Sequence, residues 1–250
     1  SLDQIGPITR TVKDAALLLE IIAGQDVHDA TSSPVPAEPY TKSCGREIKG
    51  LKIGVPKEHF NEGVDSGVQE TVRRAINQLE SLGAEISELS LPLNSVSIPT
   101  YYLLAKAEGA SNLSRYDGLR YGKLEVHSHK LIDHYLEARG KYFGPEVKRT
   151  ILMGTYALSA GYSDAWYKQA SRVRTLIRQE YEEAFKKVDV IAGPTTPEVA
   201  FAVGSRADNP LAMYMSDLFT TAPAVAGLPA LSVPAGFSNN LPIGMQLIGP

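Results

Sequence analysis

Several groups of side chains have types and spacings that bear on chemistry. His127, His129 and His134 lie in the run HSHKLIDH, with Asp133 beside the last of them. Such a cluster suits a metal. Imidazoles two and five positions apart do not share a helix face well, however, so a solvated helix start is the better reading. Cys44 sits in the polar stretch KSCGRE. Lys42 and Arg46 beside it would favour a thiolate, but no histidine or asparagine partner is evident nearby, and an incidental surface thiol is the better reading. Asp217 lies in the otherwise apolar run LAMYMSDLFTT. A carboxylate there needs a partner. It either binds the ammonium of a small substrate or accepts hydrogen bonds from backbone at a helix end. The stretch 99–122 (PTYYLLAKAEGASNLSRYDGLRYG) is dense in polar and aromatic groups. Tyr101, Tyr102, Glu108, Asn112, Arg115, Tyr116, Asp117 and Arg120 form either a hydrogen-bonded wall or an ordinary surface helix and loop. No G-x-S-x-G elbow, S-x-x-K, phosphate-binding loop, G-x-G-x-x-G or H-E-x-x-H occurs, so the chain advertises neither a nucleophile nor a cofactor or metal motif.

The elements that must position these groups follow from periodicity and punctuation. Residues 12–24 read as an amphipathic helix closed by Gly24, and 29–50 as loop. LKIGVP at 51–56 suits a buried strand. Ser66 with Gln69 gives a capping-box signal, and Val68, Val72, Ile76, Leu79 and Leu82 recur at helical spacing. Gly83 ends that helix, and 84–91 reads as a strand. Strand, helix and strand in this order make a βαβ unit with parallel pairing. Helices are expected over 102–115, 130–139, 146–158 and 162–188. The last carries Lys168, Arg172, Arg174, Arg178, Lys186 and Lys187 among Glu180, Glu182 and Glu183. That mixture points to a solvated face rather than a phosphate track. VDVIAG at 188–193 reads as a strand with a Pro-Thr-Thr-Pro loop at its C-terminal end, the edge where open α/β sheets bind ligands. A helix at 211–219, strands at 230–234 and 243–249, and a hairpin turn at SNNLP complete the pattern.

Composition sets the outer limits. The 250 residues carry 28 acidic and 25 basic side chains, a net charge of −3, which argues against a dedicated nucleic-acid binder. With one cysteine there is no internal disulfide framework or Cys-rich zinc site, and a reducing, cytoplasmic setting fits. No run of about 18 apolar residues is present, so no helical membrane span is expected. The opening SLDQIGPITR lacks the features of a signal peptide, and both ends read as the interior of a longer protein. One α/β domain, or most of one, is the expected organisation.

These segments carry a family resemblance over essentially the whole chain. SLDQIGPITRTVKDAALLL resembles the segment after the catalytic serine stretch of amidase-signature enzymes. SNLSRYDGLRYG, GPEVKRTILMGTYALSAGY, NPLAMYMSDLFT, KVDVIAGPTTP and GLPALSVPAGF…LPIGMQLIGP resemble the A-subunit family of the glutamyl-tRNA(Gln) amidotransferases. The resemblance implies a mixed, largely parallel β-sheet flanked by helices, with 1–250 the C-terminal portion of a single amidase-signature domain lacking its N-terminal part. It implies a glutaminase in which a Ser–cis-Ser–Lys triad attacks the glutamine amide and releases ammonia. The family's B-subunit, with ATP and Mg, uses that ammonia on misacylated tRNA, and a small C-subunit clamps the heterotrimer. No cofactor is implied for this chain.

In the family the triad precedes SLDQIGPITR, so no catalytic residue is expected within 1–250. These residues alone should not hydrolyse glutamine, and alone they should be poorly soluble. The resemblance makes Asp217 the ligand of the glutamine α-ammonium and Tyr101 a wall of that pocket. The family motif EVKRR reads EVKRT here, so Thr150 stands where an arginine for the α-carboxylate is implied. Arg149 points about 100° away on a helix and does not simply replace it. Thr150 mildly favours a different amidase-signature hydrolase, and the lack of a nucleophile leaves a non-catalytic scaffold as a third reading.

Overall fold

The computed structural model describes residues 1–61, 63–122 and 130–250. In chain order the elements are α1 (Val12–Ile22), β1 (Lys52–Pro56), α2 (Ser66–Ser81), β2 (Glu85–Leu89), α3 (Ser97–Leu113), α4 (Leu131–Tyr142), α5 (Pro145–Leu158), α6 (Tyr167–Phe185), β3 (Val190–Pro194), α7 (Pro210–Met215), α8 (Thr221–Ala226), β4 (Ala230–Ser238) and β5 (Leu241–Ile248).

The five strands form one mixed sheet in the order β2-β1-β3-β5-β4. β1 pairs parallel with β2, placing Ile53 beside Ile86, and parallel with β3, placing Ile53 beside Val190. The predicted βαβ unit is therefore present. β5 returns antiparallel on β3, with Ile191 opposite Ile248, and forms a hairpin with β4. Its turn holds Asn239 and Asn240 at φ of 51° and 62°, the left-handed pair that a two-residue hairpin turn needs. Pro234 lies in β4, at the end of the sheet, where a missing N–H is tolerated.

Side chains alternate between two cores. On one face Val68, Val72 and Ile76 of α2 pack with Ile53, Ala192, Ile243, Met245 and Phe219. On the other, Ile177 and Tyr181 of α6 and Ala222 and Val225 of α8 pack with Leu91, Ile191 and Ile248.

Local chemistry moved several expected boundaries. The N-cap of α2 is Asp65, whose carboxylate accepts from the Val68 amide at 3.1 Å; Ser66 is already helical. Gln69 instead donates its side-chain amide to the Val64 carbonyl at 3.0 Å, so the expected Ser66–Gln69 box does not form. The helix ends as expected at Gly83. Its φ of 97° and the bonds Gly83 N–H to Glu80 O and Ala84 N–H to Leu79 O make a Schellman motif. α3 starts at Ser97 rather than 102, because Pro99 needs no donor in the first turn. α6 starts at Tyr167 rather than 162. Residues 160–166 are turns, with Gly161 at φ 86°. The helix expected at 211–219 ends at Met215, and a second short helix, α8, occupies part of the segment read as merely small and proline-rich.

α1 forms, capped by Thr11 on the Asp14 amide. None of its residues is buried, and Ile21 is 72% exposed. The apolar stripe that predicted a core-facing helix has no core to face within these residues.

Candidate functional site

α3, α5 and the segment after α7 converge on one polar cluster. α3 presents Tyr102 and Lys106. α5 presents Glu146, Arg149 and Thr150. α7 carries Tyr214 in its last turn, and the turn that follows carries Asp217.

Close packing of the two longer helices makes the cluster possible. A Cβ on Gly154 of α5 would fall 2.0 Å from the Lys106 carbonyl oxygen and 2.6 Å from Ala110 Cβ. A Cβ on Gly109 of α3 would lie 3.0 Å from Thr150 Cγ2. Glycine at both places lets the backbones approach until side chains of one helix reach the other.

Asp217 accepts a hydrogen bond on Oδ2 from the Tyr102 hydroxyl at 2.8 Å. Of the two readings open for this carboxylate, backbone bonding at a helix end is not found among the described residues: Thr220 and Thr221 donate their amides to the Asp217 carbonyl, not to its side chain. Burial, then the bond to Asp217, raises the Tyr102 phenol above its ordinary value, so it stays a protonated donor. The Tyr102 ring lies 4.2 Å from that of Tyr214 and edge-on to that of Tyr101 at 5.2 Å. Tyr101 itself turns away and packs against the core beneath α6 and α8. Tyr102, the neighbour of the tyrosine implied as a pocket wall, is the one that bonds Asp217, because adjacent helix positions point about 100° apart.

Thr150 is bound to a cation supplied by the neighbouring helix. Lys106, 7% exposed, donates to Thr150 Oγ1 at 2.9 Å and to Glu146 Oε1 at 2.5 Å. Its ammonium also lies 5.5 Å from the ring centres of both Tyr102 and Tyr214. Glu146 further accepts from the Tyr214 hydroxyl at 3.1 Å and pairs with Arg149. These bonds, that from Lys106 first, hold the Glu146 carboxyl below its ordinary range. Arg206 fixes the far side. It donates to the Ala212 carbonyl at 3.1 Å and to Ser216 Oγ at 2.8 Å and pairs with Glu198, tying α7 to the loop after β3. Lys106, Glu146, Tyr214 and Arg206 were not singled out from sequence. A lone lysine among small residues in LLAKAEGA was the one available signal.

The other candidates stand apart from this cluster. Within 99–122, Asp117 accepts from the amides of Leu119 and Arg120 at 2.9 and 3.0 Å, and those bonds, Arg120's first, hold its carboxyl down to about 2. Arg139 of α4 donates to the Leu113 and Tyr116 carbonyls, which secures the loop. These contacts make Asp117 a loop organiser. The Pro-Thr-Thr-Pro loop does follow β3, but Thr195 spends its hydroxyl on Ser232 at 2.7 Å. Cys44 Sγ meets the Tyr40 carbonyl at 3.8 Å, and no base bonds it among the described residues. His127 and His129 lie outside the described residues, while His134 is buried in α4. Among the described residues no group of three His, Cys, Asp or Glu side chains is placed to hold a metal. Of the six basic residues named along α6 and its C-terminal end, three are paired, Lys168 with Asp164, Arg178 with Glu182 and Lys186 with Glu183, and Arg174 donates to the Val225 carbonyl. No described helix is long and apolar enough to cross a membrane.

A second polar network is buried and structural. His59 Nε2 meets Asn94 Nδ2 at 2.8 Å, and Asn94 Oδ1 accepts from the Tyr181 hydroxyl at 3.3 Å. The tyrosine orients the amide, so Asn94 donates to an unprotonated Nε2 and the ring proton sits on Nδ1. Burial pushes the imidazole down to about 4, against a smaller opposing pull from Glu58. With its ring sealed against Phe219 and Gly193, His59 meets no ligand-accessible surface.

The amidase family model matches residues 1–250. The chain is 56% identical over 249 residues to a protein of Moorella thermoacetica and 52% identical over 249 residues to one of Caldanaerobacter subterraneus, both named as the A-subunit of glutamyl-tRNA(Gln) amidotransferase. Each match takes in 100% of this chain and 51% of the relative. The crystal structure of the Thermotoga maritima protein of that name superposes at a TM-score of 0.76 with 40% identity, covering 98% of this chain and 48% of that one. The chain thus spans about half the length of the curated relatives it matches.

Proposed function

Because this chain belongs to the amidase family and has its α/β amidase-signature fold, we propose that residues 1–250 are the C-terminal, substrate-binding portion of a glutamine-hydrolysing domain. Its ammonia converts Glu-tRNA(Gln), or Asp-tRNA(Asn), to the amidated aminoacyl-tRNA. The observation that carries this reading is Asp217, a carboxylate held by Tyr102 through one oxygen, while its other oxygen accepts no hydrogen bond among the described residues. The names borne by relatives at 52 to 56% identity support it.

In this reading Asp217 anchors the α-ammonium of glutamine, Tyr102 walls the pocket with Tyr101 packed edge-on behind it, and Thr150 lies at the carboxylate end. The nucleophile comes from chain outside residues 1–250. A serine, relieved of its proton through a second serine and a lysine, attacks the side-chain amide carbon. The C–N bond breaks, ammonia leaves, and water then frees glutamate from the acyl-enzyme. The B-subunit of the amidotransferase, with ATP and Mg, activates the misacylated tRNA and receives the ammonia. The C-subunit holds the two together, and the complex works in the cytoplasm.

The test is glutamine-dependent ammonia release by the full-length protein assembled with its B- and C-subunit partners. Asp217→Asn is expected to lower kcat/KM for glutamine at least 100-fold, because an ion-paired hydrogen bond to the ammonium is lost. Unaltered glutamine turnover in that variant would overturn the reading. Thr150 favours a second reading, an amidase acting on another amide, since threonine alone offers a carboxylate no charge. Competition separates the two: simple amides that outcompete glutamine would establish the second.

A further inference from the structure

The polar cluster holds two opposite charges at its two ends, joined by two aromatic rings. At one end is Asp217. At the other is Lys106, whose ammonium lies 5.5 Å from the ring centres of Tyr102, which bonds Asp217, and of Tyr214, which stacks on Tyr102. A lysine ammonium has three N–H donors. Lys106 spends one on Glu146 and one on Thr150, and among the described residues the third has no hydrogen-bond acceptor. Lys106 and Arg149 share the single carboxylate of Glu146. Arg149 is open to water, whereas the Lys106 side chain is buried, so an acceptor for its third N–H has to come from a ligand that enters the cluster.

We propose that Lys106, with the Thr150 hydroxyl beside it, binds the carboxylate of a zwitterionic amino-acid substrate whose ammonium is taken by Asp217. The inference rests on the substrate reading above and deepens it: Lys106 is the residue by which the site prefers a free amino acid to a simple amide. The carboxylate accepts the third Lys106 N–H and the Thr150 O–H, whose oxygen already receives a bond from the same ammonium. The hydroxyl proton is thereby aimed away from Lys106 and toward the ligand. The two ends select together. An amide with an ammonium and no carboxylate satisfies Asp217 and leaves the third Lys106 N–H without an acceptor; an amide with neither group satisfies nothing.

The discriminating probe is 4-aminobutanamide, which is glutamine without its carboxylate. Ammonia release from it and from glutamine is measured with the full-length protein assembled with its partner subunits. For the unaltered protein kcat/KM is expected to favour glutamine strongly. In Lys106→Met that preference is expected to fall about 10- to 100-fold, mainly through KM for glutamine, as for loss of a charge-assisted hydrogen bond. Lys106→Arg keeps the cation and is expected to keep most of the preference. Adding Thr150→Arg to Lys106→Met puts a cation back beside the same point and is expected to restore part of it. Two results would overturn the inference. One is an equal fall for both substrates in Lys106→Met, the mark of a purely structural lysine. The other is an unaltered protein that handles both substrates alike. Neither touches the glutaminase reading, which fails separately if glutamine is not hydrolysed at all.

Discussion

At the scale of single residues, burial decides which polar groups are structural and which remain available. His59 is 1% exposed and neutral, with its acceptor nitrogen matched to Asn94. Its folded value of about 4 lies below the ordinary 6.5, so the unfolded chain binds the proton more readily. The stabilisation is therefore complete above about pH 6.5 and lost as pH falls toward 4. At about 1.36 kcal/mol per pH unit the ceiling is about 3 kcal/mol. Thermal melts of the full-length protein between about pH 7 and 4 should show that loss, and His59→Gln should flatten the slope in this window. An identical slope in the variant would assign it to other groups. Asp217 stands at the opposite extreme: half-buried, held through one oxygen and, among the described residues, without a hydrogen bond at the other. Its isolation in an apolar run was readable from sequence. Its partner was not, since only the packing of α3 against the turn after α7 selects Tyr102 over Tyr101.

At the scale of elements, caps and glycines carry the specification. Asp65 caps α2, so Asp65→Ala should cost about 1 kcal/mol in urea unfolding, and Ser66→Ala only a few tenths. The reverse order would restore the Ser66–Gln69 box. At the β4–β5 turn, Asn240 holds φ 62°. Asn240→Ala should destabilise by about 1 kcal/mol and Asn240→Gly should be neutral or better. Gly154 is the more consequential position, because a methyl there meets backbone rather than a movable side chain. Gly154→Ala should force α3 and α5 apart at a cost of about 1–3 kcal/mol. On the proposed glutaminase reading it should also raise KM for glutamine by drawing Lys106 away from Thr150. Normal stability and normal KM together would show that the helices tolerate the separation.

At the scale of the whole molecule, the mixed sheet is covered by α2 on one face and by α6 and α8 on the other, yet large apolar surfaces stay open. Ile21 of α1 and Leu136 of α4 are 72% and 67% exposed. Exposed apolar faces of this kind mark contact surfaces. On the proposal that residues 1–250 belong to a longer chain, they should bind a hydrophobic dye strongly and aggregate when expressed alone, whereas that longer chain should do neither. A monomeric, dye-negative product from residues 1–250 would show that these faces need no cover.

Amino-acid order alone determined the βαβ unit, the hairpin, the end of α2 and the isolation of Asp217. Each is specified by residues close in sequence: alternating or 3.6-spaced apolar side chains, Gly83, and the Asn239–Asn240 pair. It also made legible that residue 150 is a threonine rather than an arginine. Tertiary structure decided the remainder. The start of α6 moved because residues 160–166 close local turns, with Gly161 in the left-handed region. The fate of the α1 stripe was undecidable from periodicity, which shows that a face is apolar and not what covers it. The cation beside Thr150 arrives from 44 residues away, across a helix contact that two glycines allow. Spacing along a chain reports which side chains share a face; only packing determines which faces meet, and the charge balance of a site is set where they do.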